Sequence, residues 1–294
     1  MQYSFLKSSE LRPLQDELLK FEEQFIYPFD SKRFFYISHG KDYTAFYDKI
    51  GETCFFLGYK DNQIKAVIAL VKKKVEFRSE TLKAIYLGDL KIDYRLHQYK
   101  AMETFISDLF SNSKAIAFYE LPDLIFFVSM AGKKGSILRG FKEKNSLHKK
   151  VKHLGTVMIY MIEPQKLKKI RTFPFFDENL NLLNLSPKPE SKMVISNQGC
   201  KDLQFISENK KMNLAHINLG ALQGSQLLQR IQKAGVESED KYDILCFALD
   251  TKRTSVINLL KNQGIVAGSK ADVGSFLFGH DYFETPLTIN TNEI

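Results

Sequence analysis

Residues 82–109, LKAIYLGDLKIDYRLHQYKAMETFISDL, spell a strand, a tight basic turn and a helix in direct succession. Residues 84–92 alternate apolar and mixed positions and are rich in β-formers, which predicts a strand. Ala101, Phe105, Ile106 and Leu109 recur at helical spacing, so a helix follows. A helix that opens after a strand points free backbone N–H groups, and the positive end of its dipole, at whatever lies above the turn. Such a place receives anions. Arg95, His97 and Lys100 add charge or hydrogen-bond donors there. The same pattern also describes a strand–helix unit that holds no ligand, and both readings stay open.

The remaining signals order themselves around this unit. Residues 11–25 carry Leu14, Leu18, Leu19, Phe21 and Phe25 on one helical face, with Pro13 suited to a first turn. Residues 53–59 and 63–72 read as two strands joined by Asp61 and Asn62, and 75–77 extends the second. Residues 124–130, LIFFVSM, are apolar throughout, as in a strand buried on both faces. Residues 132–140 read as a short helix and 154–162 as another strand. Residues 173–192 hold Pro174, Pro187 and Pro189 without clear periodicity, the composition of a linker. Beyond them the pattern returns. Residues 214–219, 220–224 and 227–231 again run strand, turn, helix. Residues 244–258 repeat the order of 124–138: an apolar strand, a polar step, two basic residues, then a helix. Gly264 suits a helix C′ position, and 274–278 reads as a last strand.

Charge narrows the partners. The net charge is +8, yet residues 131–171 alone carry +10, leaving −2 for the rest. One basic surface is expected there, either a solvated lysine-rich face or a contact for an anionic partner such as nucleic acid, an acidic protein, a charged membrane or a phosphate ligand. It lacks the interleaved aromatics that stack on single strands. No apolar run reaches membrane-spanning length, and Lys7, Glu10 and Arg12 interrupt any signal sequence, so a cytoplasmic protein is expected. Cys54, Cys200 and Cys246 are too scattered for a disulfide framework, and the six histidines show no metal-ligand spacing.

The strand end Leu90-Lys91-Ile92, followed by Arg95, resembles the acyl-CoA-binding segment of the GNAT N-acyltransferase superfamily. In that family an L-x-V strand end precedes a turn written R/Q-x-x-G-x-G/A, whose amides cradle the pyrophosphate of CoA. Arg95 matches the first motif position. Gln98 and Lys100 stand where the two glycines belong, and the turn is shorter than the family's. The resemblance implies an α/β (α+β) fold with a mixed central sheet flanked by helices. It also implies a GNAT-like domain over 1–162, a linker over 163–192, and a second, shorter GNAT-like domain over 193–294.

What the resemblance implies for chemistry is direct acyl transfer from acetyl-CoA or another acyl-CoA to a small-molecule or peptide amine, with no metal. Leu90, Lys91 and Ile92 would meet the pantetheine arm, chiefly through the backbone of Leu90 and Ile92. Arg95, Leu96, His97, Gln98, Tyr99 and Lys100 would meet the pyrophosphate. Asp89 and Glu52 are the carboxylates near strand ends that could act as base, or serve only as solvated or structural groups. The tyrosine that the family places beside the leaving thiol has no counterpart in 132–140. Leu260 occupies the analogous place in the second copy, and Tyr119 is nearby in sequence. A catalytically silent GNAT-like protein that binds a ligand or a protein therefore stands beside the N-acetyltransferase reading.

Overall fold

The computed structural model describes residues 1–28, 33–78, 80–93, 95–96, 98–130, 151–173, 176–187, 192–206, 211–276 and 285–294. Its main sheet is built from β1 (Gln2–Lys7), β4 (Glu52–Lys60), β5 (Gln63–Phe77), β6 (Glu80–Ile92), β7 (Leu124–Met130), β8 (Lys152–Ile162), β10 (Val194–Ser196), β13 (Leu214–Ile217), β14 (Ile244–Asp250) and β15 (Ser269–Ser275). They lie in the order β1-β4-β5-β6-β7-β15-β8-β14-β13-β10. Two short strands, β9 (Leu183–Asn184) and β16 (Leu287–Thr288), pair with each other, and β9 also pairs with the far end of β5. A small antiparallel sheet joins β2 (Tyr27–Pro28) and β3 (Phe34–Ser38) to β11 (Asp202–Phe205) and β12 (Lys211–Met212).

The helices are α1 (Ser8–Leu11), α2 (Gln15–Glu22), α3 (Ala45–Ile50), α4 (Gln98–Ser111), α5 (Ser113–Tyr119), α6 (Pro164–Leu167), α7 (Gly224–Glu237) and α8 (Thr254–Asn262). Two parallel pairs organise the sheet. β6 and β7 are parallel, joined through α4 and α5, whose Phe105, Leu109, Ala115 and Phe118 bury one face with Ile85, Leu87 and Ile125. β13 and β14 are parallel, joined through α7, whose Leu227, Leu228 and Ile231 bury against Ala215, Leu245 and Phe247. The opposite face of the first half is covered by α2 and α3, through Leu18, Phe21, Phe46 and Tyr47.

The Asp61–Asn62 turn is the expected hairpin, both residues holding positive φ of 54° and 55°. Gly264, with φ +78°, follows α8 as expected. The helix expected over 11–25 is shorter, because Pro13 lies in a 3-10 turn, Arg12–Leu14, and the helix proper is Gln15–Glu22. The N-terminal strand β1, which no sequence signal announced, pairs along its whole length with β4. The strand expected at 274–278 begins earlier, as Ser269–Ser275, and the short β16 comes after it. β15 inserts between β7 and β8, so residues from 193–294 hydrogen-bond on both edges to strands from 1–162. Within 173–192, Leu183 and Leu185 are fully buried, so that stretch contributes to the core as well as connecting. The helix read over 132–140 and the basic residues of 131–150 lie outside the described residues.

Candidate active site

β6 breaks its own alternation. Ala84 and Tyr86 face the α2–α3 side, while Ile85 and Leu87 face α4 and α5. Gly88 also faces α2–α3, since a Cβ there would meet the rings of Tyr86 and Tyr47. The register against β5 then slips: Ala69 pairs with Gly88 but Val67 pairs with Lys91. Asp89, at φ +53°, is the extra residue of this bulge. After it, Leu90 and Ile92 turn toward α4, and Asp89 and Lys91 turn toward α2 and α3.

That inversion assembles a buried charged cluster. Lys91 Nζ lies 2.5 Å from Asp89 Oδ1 and 2.7 Å from Glu22 Oε1, at the last residue of α2. Glu22 Oε1 also accepts from His39 Nδ1 at 2.5 Å, and Oε2 accepts from the His39 backbone N–H at 3.0 Å. Tyr43 donates its hydroxyl to Asp89. His39 is wholly buried among Tyr43, Phe46 and Tyr47, and its Nε2 has no hydrogen-bond partner among the described residues. A carboxylate only accepts, so the Glu22 contact puts a proton on Nδ1 and leaves Nε2 as the free position. Burial would raise the Asp89 carboxyl. The Lys91 ammonium, aided by His39 and by hydrogen bonds from Lys91 and Tyr43, outweighs burial and holds it well below the usual carboxylate range. Burial would likewise depress Lys91, and Asp89 and Glu22 reverse this and raise it. Glu22, His39 and Asp89 bring ligand-type atoms within 4.8 Å of one another, but the Lys91 ammonium already supplies the cation between the two carboxylates.

The bulge also marks where the first parallel pair opens. β6 and β7 pair from Ala84 with Leu124 to Leu87 with Phe127, and no further. Beyond that, Val128 to Met130 pair only with β15. The β6 edge from Gly88 to Ile92 that faces β7 therefore has no strand partner among the described residues.

The residues expected at the site divide. Leu90 and Leu96 are partly buried and Ile92 is buried, all against the α4–α5 core. Lys91 points to the opposite side, into the charged cluster. Arg95 forks onto Asp93, with Nε 2.9 Å from Oδ1 and 3.1 Å from Oδ2, and Lys65 Nζ adds a contact at 3.2 Å. The Arg95 hydrogen bond is the main reason the Asp93 carboxyl is held well below its usual range. Asp93 also closes the turn, accepting from the Arg95 and Leu96 backbone N–H groups at 3.0 Å each. Lys100 is exposed on the first turn of α4. His97, and the side chains of Gln98 and Tyr99, lie outside what is described. Glu52 sits apart from the bulge. It is 65% exposed, 3.6 Å from Lys72, at the level of Ile85. Tyr119 and Leu260 are buried core residues. Glu22, His39 and Tyr43 were not singled out from sequence. A glycine followed by aspartate inside a strand is the signal that points to the bulge.

The second parallel pair opens in the same way, after His216 with Cys246. Its helix N-terminus, however, is filled by the chain itself. Ser225 N–H donates to Phe176 O at 2.8 Å, and the Gln223 amide brackets the Leu180 backbone at 2.7 and 3.0 Å. The Glu178 carboxylate accepts from Gly224 N–H at 3.4 Å and from the buried guanidinium of Arg253. A carboxylate of this chain thus occupies the place an external anion would take.

No family model and no curated protein sequence matches this chain. Solved structures do. Saccharomyces cerevisiae N-myristoyltransferase with bound myristoyl-CoA aligns at a TM-score of 0.56 and 7% identity, covering 97% of this chain and 83% of the enzyme. A second structure of the yeast enzyme aligns at 0.55 and 7%, covering 97% and 87%. A GCN5-related N-acetyltransferase from Anabaena variabilis aligns at 0.48 and 11%, covering 93% and 72%. The chain thus shares a GNAT-like fold with the yeast enzyme's structures. At these identities the likeness concerns architecture alone. The open parallel pairs are β6–β7 and β13–β14: in the turn of the first, Asp93 holds Arg95, and at the second Glu178 accepts from the Gly224 N–H at the start of α7. No helix among the described residues is long and apolar enough to cross a membrane.

Proposed function

We propose that the protein binds acyl-CoA in the opening between β6 and β7 and transfers the acyl group to an amine. The observation that carries this reading is the parting of β6 from β7 at the Asp89 bulge, which leaves the β6 edge over 88–92 without a strand partner among the described residues, beside the N-terminal turn of α4. An extended pantetheine arm satisfies such an edge as an added strand would. A thioester carbonyl at the bulge would meet backbone N–H groups already fixed by the sheet, and fixed donors stabilise a developing oxyanion. Lys100 and the N–H groups of α4 would receive the phosphates.

Glu22 and His39 form the general-base candidate. Glu22 orients the imidazole through Nδ1, as a carboxylate orients the base in other nucleophilic sites. Asp89 is a poor base, being bonded to Lys91 and Tyr43, and it instead fixes the position of both. The tandem arrangement belongs to the same proposal, with the second half a closed copy whose anion place Glu178 holds. The yeast neighbour's bound myristoyl-CoA makes long acyl chains worth including beside acetyl-CoA.

A second reading, acyl-CoA binding without turnover, is favoured by one specific contact. The Arg95 guanidinium is already compensated by Asp93, so less of its charge reaches a phosphate. Free-CoA release, measured with acetyl-, octanoyl- and myristoyl-CoA over a panel of primary amines, separates the two. Amine-dependent release supports transfer. Binding without release supports the silent protein.

A further inference from the structure

Lys49, on the last turn of α3, and Cys200, on the turn between β10 and β11, both line a cleft of about 130 Å³. Lys49 Nζ lies 2.8 Å from Cys200 Sγ. N–H···O hydrogen bonds run about 2.7–3.2 Å, and sulfur is a larger atom than oxygen, so an N–H···S bond is longer. This nitrogen and sulfur are about as close as two single bonds through one bridging atom would hold them. Both ends are positioned by their backbone. Cys200 N–H donates to Asn197 O at 2.8 Å, and Gly199 N–H donates to the Asp202 carboxylate at 3.1 and 3.0 Å. The turn rests on Gly40, where a Cβ would lie 2.3 Å from Gly199 O. Lys49 stands on a helix anchored in the core by Phe46, Tyr47 and Ile50. Lys49 is exposed and Cys200 half-buried, so small solutes reach the pair, whereas Cys54 and Cys246 are buried.

We propose that Lys49 and Cys200 form a redox modification site, at which hydrogen peroxide or dioxygen joins the two side chains through one oxygen, Nζ–O–Sγ. The thiolate is the form of cysteine that oxidants attack, and the Lys49 ammonium lies where it balances that charge. The S–H bond and one N–H bond break, and an S–O and an N–O bond form. Sulfur and nitrogen give up two electrons each. Two molecules of peroxide take all four and leave three of water, or one dioxygen takes them and leaves one water. Two equivalents of a dithiol reverse the step, returning thiol, amine and one water. The bridge ties α3 to the β10–β11 turn. Phe46 and Tyr47 of α3 pack on His39, with ring centroids 5.8 and 5.3 Å apart, so the tether fixes the helix that walls the charged cluster.

The test exposes the full wild-type chain to hydrogen peroxide, digests it without reductant and reads the peptides by tandem mass spectrometry. The expected product is a joined pair of peptides containing Lys49 and Cys200, heavier by one oxygen and lighter by two hydrogens than the reduced pair. It should be lost on treatment with dithiothreitol. It should also be lost in Cys200→Ser and in Lys49→Arg, which keeps the positive charge without a primary amine. Should Cys200→Ser fail to fold, Lys49→Arg carries the control alone. Cys200 left unreacted, Cys200 oxidised to sulfenic or sulfinic acid without a link to Lys49, or a link that lacks the oxygen overturns the proposal. Identical products from Lys49→Arg and wild type overturn it as well.

Discussion

Lys91 Nζ lies between the carboxylates of Glu22 and Asp89, 2.7 and 2.5 Å away, and hardly any of the lysine reaches solvent. Removing one member of a buried ionic set leaves the others uncompensated, which costs about 3–5 kcal/mol. Lys91→Met is therefore expected to destabilise the protein by that amount in urea unfolding. Adding Glu22→Gln and Asp89→Asn should recover much of the loss, because no bare charge then remains buried.

The pH dependence of stability follows from His216. Its Nε2 accepts from Asn197 and its Nδ1 contacts Thr291, at 3.0 and 2.8 Å. Burial, reinforced by Lys201, pushes it from the usual 6.5 to about 3. The folded state thus keeps the imidazole neutral where the unfolded chain binds a proton. Stability is unaffected by this group above pH 6.5 and falls as pH drops from there toward 3, by about 1.4 kcal/mol per unit for one proton. His216→Gln should be less stable at pH 7 but lose stability less steeply between pH 6 and 4. Parallel slopes in denaturant titrations of the two proteins would contradict this.

Glu178 and Arg253 make a second buried pair, with Arg253 also donating to Leu222 O at 3.1 Å. Glu178→Ala strands the guanidinium and opens the N-terminus of α7. The expected result is a loss of about 3–5 kcal/mol, partly recovered by added phosphate or sulfate. Destabilisation indifferent to anions would mean that the second half is no relic of an anion site.

Much of the fold was legible because its signals are local. The Asp61–Asn62 turn needs two residues that tolerate positive φ, and the strand at 124–130 is apolar on both faces. The strand read at 274–278 starts too late because SKADV, where β15 begins, has little apolar content: a strand between two others is held by backbone pairing on both edges, and small residues suffice there. The charged cluster escaped for another reason. Glu22, His39 and Lys91 are far apart in sequence and meet only because one inserted residue reverses the facing of β6. Period-2 reading carried through Gly88 and Asp89 sends Lys91 to the α4 side, and the bulge sends it to the other.

Charge at the turn before α4 should set CoA affinity. Arg95→Ala with Lys100→Ala is expected to weaken acyl-CoA binding and flatten its salt dependence, since both cations would otherwise attract phosphate. Lys100 should account for more of the effect, because Arg95 is held by Asp93. The two single variants, titrated at low and high salt, check that order.

One acyl-CoA is expected to lie between β6 and β7. Isothermal titration of the wild-type chain with acetyl-, octanoyl- and myristoyl-CoA tests it most directly, alongside the variant Leu90→Pro, which removes one backbone donor from the open edge. One molecule should bind per chain, with affinity lowered in a Leu90→Pro protein that still folds. Binding of none of the three by wild type, or two bound per chain, would contradict it.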